Sequence, residues 1–297
     1  MALEIGVYLL TSTHVGAGGS AGAIDLPIAR EAHTGHPLLP ASALKGVARR
    51  LLDPKSDAGK DTPAARLFGP PPPQKGEAGE PLVPGEAVFT DGVLLAFPVR
   101  SLTHAFVWVT CRHSIERWRR GRRLLGLGMP AGPKGTGAIS TLEHKGPLVL
   151  DSYATVLEGG ANADLAAVAA AWASLLPKDD GVAAQLPKRL VCLPDADFSH
   201  LVQRCTPVTA RVQLTPGKTT DTYRGEGADG KEREYKGNLW YEESLPPECL
   251  FVFSVQARTQ GDLSALSDAV KNKRKVLQIG GNETVGMGLT AWTIAKA

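Results

Sequence analysis

Cysteine is scarce in this sequence, and the four present, Cys111, Cys192, Cys205 and Cys249, include no Cys-x-x-Cys pair. That spacing argues against a zinc knuckle and a disulfide framework, and it points to a reducing, cytoplasmic compartment. Long apolar runs are missing too: no window approaches the ~18 residues of a membrane span. The start, MALEIGVYLL, has neither a basic leader nor a small-residue cleavage site, so no secretion signal is expected. No GxxxxGK[ST] phosphate loop occurs. Charge of one sign is also lacking, since 33 basic against 30 acidic residues leave +3. So small an excess does not by itself announce a nucleic-acid binder. The 297 residues, 43% of them hydrophobic, suffice for one large core or two modest ones.

What the sequence does have is a stretch from His14 to Arg50 around which the rest is organised. It follows an alternating run, Leu3 to Thr11, that predicts a strand with one buried face. Glycines at 16, 18, 19 and 22 allow positive φ and close approach of the backbone to a ligand. The segment Gly16 to Ala21 imitates a dinucleotide fingerprint. A Rossmann site, however, needs a helix opening inside the glycines, and Asp25-Leu26-Pro27 leaves no room for one. A helix is predicted over ASALKGVARRLL, with Ser42 as N-cap and an apolar stripe of Leu44, Val47, Ala48 and Leu51. Lys45 and Arg49, four apart, project from one face near the helix's amide-rich start and suit the phosphates of a polyanion.

Residues 53–87 carry Pro70 to Pro73 among glycines and mixed charges, the composition of an extended insertion. Strands are expected over 88–98, 105–110 and 148–157. Arg112, Arg117, Arg119, Arg120, Arg122 and Arg123 fit either a solvated helix face or a surface for RNA or a partner subunit. Asn162 and Asp195 are read as helix caps. Residues 208–247 have the character of a long hairpin. Lys218, Arg224, Lys231, Arg233 and Lys236 lie among Tyr223 and Tyr235 there, a mixture suited to contacting a nucleic-acid backbone and stacking on bases. After a core strand at 249–257, Asp262 caps a helix ending in Lys271, Lys273, Arg274 and Lys275. The glycine-rich stretch 279–288 follows, with Gly280, Gly281, Gly286 and Gly288. The alternation of elements is compatible with an α+β, ferredoxin-like core carrying large insertions.

IDLPIARE followed by HTGHPLLPASALKG, together with FTDGVLLAFPVRSLTHAFVWVT at 89–110 and LQIGGNETVGMG at 277–288, resembles the RAMP superfamily of CRISPR proteins. The resemblance is to the backbone subunits of type III-B (Cmr) effector complexes and runs nearly end to end, as a single RAMP domain over 1–297. It implies an RRM-like ferredoxin core and a thumb-like hairpin at 208–247. It also implies binding to a guide RNA (crRNA), target RNA, further copies of the chain and other Cmr subunits. The resemblance assigns cleavage of target RNA at regular intervals to Asp25, with a divalent metal, Mg²⁺ or Mn²⁺, held against the phosphate or with Asp25 as proton acceptor. His14, at the mouth of the same loop, is a candidate for orienting the nucleophile or protonating the leaving oxygen. Glu242 stands in the acidic stretch before Pro246-Pro247, where many relatives carry Tyr at the position of Ser244. Ser42, Lys45, Arg49 and the four glycines of 280–288 are the RNA-binding candidates, with contacts to phosphate and sugar. The alternative is a non-catalytic guide-binding scaffold in which Asp25 only braces its loop.

Overall fold

Alternation along the first strand sets the architecture. In β1 (Ala2–Leu9), Leu3, Ile5, Val7 and Leu9 enter one hydrophobic core, while Tyr8 enters a second on the opposite face. β1 therefore lies in the middle of a sheet covered on both sides. A computed structural model describes residues 2–20, 22–54, 62–70, 84–144, 146–178, 181–227, 230–258, 262–272 and 276–295. After β1 come β2 (Leu38–Leu39), α1 (Ala41–Leu52), α2 (Pro63–Phe68), β3 (Ala87–Phe89), β4 (Gly92–Arg100), β5 (Phe106–Cys111) and α3 (Arg112–Leu124). The middle of the chain forms β6 (Ile139–Ser140), β7 (Pro147–Leu150), β8 (Tyr153–Val156), α4 (Ala163–Ala173), α5 (Val182–Gln185), β9 (Leu190–Leu193) and α6 (Asp195–Arg204). A hairpin region follows, with β10 (Val208–Gln213), β11 (Tyr223–Glu226), β12 (Glu232–Tyr235) and β13 (Asn238–Glu243). The chain closes with β14 (Leu250–Ala257), α7 (Ser264–Asn272), β15 (Leu277–Gln278) and β16 (Leu289–Ile294).

The large sheet runs β15-β16-β1-β14-β4-β5-β9-β6, with β2 and β3 attached to β4 and β14. Within it β16, β1, β14 and β4 are antiparallel neighbours. That order, with α1 between β1 and β4 and α7 between β14 and β16, is the one expected of a ferredoxin-like core. Leu44, Ala48 and Leu51 of α1 and Leu266, Ala269 and Val270 of α7 share the core beneath it. Trp118 of α3 and Leu165, Val168 and Trp172 of α4 cover the other face. Gly6 is required where the layers meet, because a Cβ there would collide with the carbonyl of Leu175. Residues 101–249 are thus inserted within the motif rather than following it.

Several local expectations need correction. The predicted strand over 88–98 is broken at Thr90-Asp91 into β3 and β4, and 148–157 folds as the hairpin β7–β8 around Asp151, whose φ is 52°. Ser42 is not the N-cap of α1. Pro40 holds that position, and Asp91 from the β3–β4 turn accepts the Ala41 amide at 2.8 Å. Asp195 is likewise the first residue of its helix rather than its cap, and it accepts the amide of His113 at the start of α3. Asn162 does cap α4, through the Leu165 amide at 2.9 Å. Of the 53–87 insertion, α2 buries Leu67 and Phe68 against the body; 55–61 and 71–83 lie outside the described residues, as do Lys273, Arg274 and Lys275. The four thiols are free, and burial pushes Cys111 up to about 11 and Cys192 to about 12, out of the reactive range.

Candidate functional site

The glycine-rich loop follows β1 and closes on itself, its returning limb pairing with its outgoing one. The Ala29 amide donates to the Val15 carbonyl at 2.8 Å and the Ala17 amide to that of Pro27 at 3.0 Å, so the described residues between these two bonds project from a fixed neck. Among the described residues, nothing lies within 4 Å of where a Cβ would stand on Gly18, Gly19 or Gly22. Asp25, on the returning limb of this finger, is exposed.

The tip docks on the hairpin. β13 pairs with β10 along one edge, and along its other edge it binds the loop. The Leu26 amide donates to the Tyr241 carbonyl at 3.1 Å and the Glu243 amide to the Leu26 carbonyl at 3.0 Å. Just ahead of these on β13, Asp25 Oδ2 accepts the Tyr241 amide at 2.8 Å. Oδ1 has no partner among the described residues.

His14 is attached to the same strand. Its Nδ1 lies 2.7 Å from the Glu243 carbonyl oxygen. A carbonyl can only accept, so Nδ1 carries a proton in either charge state and Nε2 is the atom left to exchange one. Tyr241 and Glu243 are two apart on β13 and present their backbone groups to the same edge, about 7 Å apart. Asp25 and His14 are therefore held at two successive stations of one strand edge. The His14 ring also sits against Gly16, where a Cβ would stand 3.0 Å from Nε2.

Glu242 and Glu243 are both 4% exposed and already engaged. Glu242 Oε1 accepts from Asn282 Nδ2 at 2.6 Å and faces Arg211 at 3.6 Å. Glu243 Oε2 accepts the Ile28 amide at 3.1 Å, while Oε1 accepts from Arg30 at 2.6 Å and from Thr206 Oγ1 at 2.7 Å. Of the two acids in this stretch the sequence analysis singles out Glu242, yet Glu243 has more partners in the loop. Asn282 belongs to the second glycine-rich stretch, which also folds against His14: the Gly281 amide donates to the His14 carbonyl at 3.0 Å. Gly280 and Gly288 have φ of 83° and 78°, and a Cβ on either would meet a carbonyl oxygen, of His14 and Ile279 respectively. At these two glycines the close approach is to the chain's own backbone. Gly286 faces open space.

The basic helix α1 is linked to the second glycine loop by the exposed pair Arg50–Glu283 at 3.6 Å. Lys45 and Arg49 are half-buried on one face of it, with no acidic partner among the described residues. Four of the arginines in α3 hold the fold. Arg122 pairs with buried Glu4 at 2.8 Å, Arg117 with Glu31, Arg119 with Glu116, and Arg112 reaches the Gly137 carbonyl. Arg120 and Arg123 remain exposed. His36 is a core residue, its Nε2 2.9 Å from Ser199 Oγ and its ring edge-on to Phe198. Among the described residues no three His, Cys, Asp or Glu side chains converge as a metal site, and no helix is long and apolar enough to cross a membrane.

Residues 7–291 match the sequence model of the RAMP superfamily. The CRISPR system Cmr endoribonuclease Cmr4 of Pyrococcus furiosus is 31% identical over 98% of this chain and 95% of its own. A crystal structure of oligomeric Cmr4 from Pyrococcus furiosus superposes with a TM-score of 0.71 at 25% identity, covering 100% of this chain and 98% of that one. A chain of the type III-B Cmr-beta complex bound to cognate target RNA superposes at 0.70 with 20% identity, over 99% and 97% of the two chains.

Proposed function

The chain belongs to the RAMP superfamily, and from that premise we propose that it is the guide-binding backbone subunit of a cytoplasmic type III-B CRISPR effector complex and cleaves target RNA at regular intervals. Copies polymerise along the crRNA beside the other Cmr subunits, and β10–β13 is the thumb presented to the guide–target duplex. The observation that carries this reading is the seating of the 17–27 loop on the free edge of β13, which fixes Asp25 to the hairpin itself. Wherever the hairpin meets the duplex, a carboxylate arrives with it.

In the reaction the 2′-oxygen attacks the adjacent phosphorus as the bond to the 5′-oxygen breaks. The products are a 2′,3′-cyclic phosphate and a 5′-hydroxyl. Asp25 Oδ1 accepts the 2′-hydroxyl proton, and His14 Nε2, when protonated, returns one to the leaving 5′-oxygen. The backbone anchors at Tyr241 and Glu243 supply the alignment on which an in-line attack depends. Glu242 acts at one remove, by holding Asn282 and Arg211. Lys45 and Arg49, together with Ser42 and the glycines at 280–288, bind phosphate and sugar of the guide. The residues themselves do not make a divalent-metal site: Asp25 offers one free oxygen, and both neighbouring glutamates are buried and engaged. Mg²⁺ or Mn²⁺, which the resemblance implies, would draw the rest of its shell from RNA and water.

The bond from the Tyr241 amide to Asp25 Oδ2 favours a second reading, a non-catalytic scaffold in which Asp25 braces the loop. Cleavage of target RNA by the reconstituted guide-loaded complex separates the two. Asp25→Ala is expected to abolish regularly spaced cuts, with and without added Mg²⁺, while target binding persists. Unchanged cutting would leave the chain as scaffold.

A further inference from the structure

Glu243 gathers more of this site than any residue the sequence singled out. Its amide holds the Leu26 carbonyl, its carbonyl holds His14 Nδ1, and its buried carboxylate holds the Ile28 amide, Arg30 and Thr206. Three of these partners, Leu26, Ile28 and Arg30, lie on the returning limb of the loop directly after Asp25. Thr206 immediately precedes the hairpin, and Arg30 continues inward to the carbonyls of Gly35 at 2.9 Å and Val202 at 3.1 Å, at the end of α6. The chain thus spends a buried negative charge where loop, hairpin base and α6 meet. Such a charge is retained only with full pairing, and here both oxygens are satisfied by donors from separate segments.

We infer that Glu243 is a positioning residue for the cleavage reaction: its carboxylate clamps the Asp25 loop to the base of the hairpin and sets the register in which the loop meets the β13 edge. The inference rests on the reading of the chain as a ribonuclease subunit, but the clamp itself is a property of the free protein. Among the described residues, the backbone of the loop pairs with β13 at a single parallel bridge, Leu26–Glu242. One bridge fixes register weakly; the side-chain bonds at Ile28 and Arg30 are what prevent a slip that would carry Asp25 off Tyr241. Glu243 does not touch RNA in this account. It acts through the placement of Asp25.

The test uses Glu243→Ala, Glu243→Gln and Thr206→Val in the guide-loaded complex, with Glu4→Gln as a control for a buried ion pair on the other face of the sheet. Glu243→Ala is expected to slow single-turnover cutting 10- to 100-fold and to blur the cut positions, with target affinity within twofold of wild type. Glu243→Gln, which keeps an oxygen for Arg30 and Thr206, should recover at least a third of the logarithmic loss; Thr206→Val should fall between it and wild type. Glu4→Gln should lower thermal stability without moving the cuts. Amide exchange in the free protein provides the second arm, where Glu243→Ala should raise exchange at Leu26 and Ile28 at least tenfold. If Glu243→Ala leaves that exchange and the cut positions unchanged, or if Glu4→Gln blurs the cuts equally, the clamp is refuted. A wild-type complex that does not cut, with exchange still raised by Glu243→Ala, would overturn the ribonuclease reading and keep the clamp.

Discussion

His36 is a histidine that serves the structure rather than chemistry. In sequence it stands with His33 around Gly35, inside the run that carries the family resemblance. In the structure burial pushes its pKa down to about 4, with Glu31 and Asp195 favouring the cation and His113 and Arg117 opposing it. The folded value lies below that of an unfolded histidine, near 6.5. Above about pH 6.5 the ring is neutral in both states and contributes no pH dependence. As pH falls from there towards 4, the unfolded chain takes up a proton that the folded protein refuses, and stability is lost at up to ~1.4 kcal/mol per unit. Urea midpoints across pH 4–7 should therefore fall less steeply in His36→Gln than in wild type. Parallel curves would mean that the imidazole is not the group refusing the proton. Glu243 makes the opposite point. Its neighbours in sequence say nothing of Ile28, Arg30 or Thr206, because all three reach it from other segments.

At the scale of elements, signals that act within a few residues are the legible ones, and those that depend on distant chain are not. Alternation disclosed β1, and Asn162 disclosed the start of α4, since both signals lie within a few residues of their effect. β9, the run Leu190–Leu193, is buried at every position. A four-residue apolar run has no periodicity to distinguish it, and its pairing with β5 is parallel and remote. The start of α1 was misassigned for the same reason, because its capping carboxylate comes from Asp91. That correction bears on binding. With Asp91 already at the helix's first amide, attraction for a phosphate falls to the side chains of Lys45 and Arg49. Lys45→Ala combined with Arg49→Ala should weaken guide binding alike for unrelated sequences. Each cation removed should flatten the plot of log K against log salt by roughly 0.7. A loss that depended on guide sequence would place these residues at base edges instead of phosphates.

The whole molecule divides into a part that folds for itself and a part that waits for company. The large sheet is covered on both faces, whereas β10 and β13 form a separate two-stranded sheet whose outer face stays apolar and open. Val212 and Leu239 are cross-strand partners on that face, 54% and 52% exposed, with Val208 and Tyr241 alongside. A two-stranded ribbon with an uncovered apolar face gains little in isolation, and contiguous exposed apolar surface marks a site of association. If this face is covered only in the assembled complex, Val212→Asp with Leu239→Asp should cost the free subunit little. Its unfolding free energy from urea titration should change by no more than ~0.5 kcal/mol, as for surface substitutions generally. Assembly on guide RNA, followed by size-exclusion chromatography, should instead drop at least tenfold in apparent affinity, because burying two carboxylates without partners is costly. Both variants of the outcome are informative about where the hairpin's stability resides. A subunit that unfolds earlier but still assembles would mean that the ribbon is part of the core. A subunit that keeps its stability and loses assembly would mean that the sequence reserved these apolar positions for a partner.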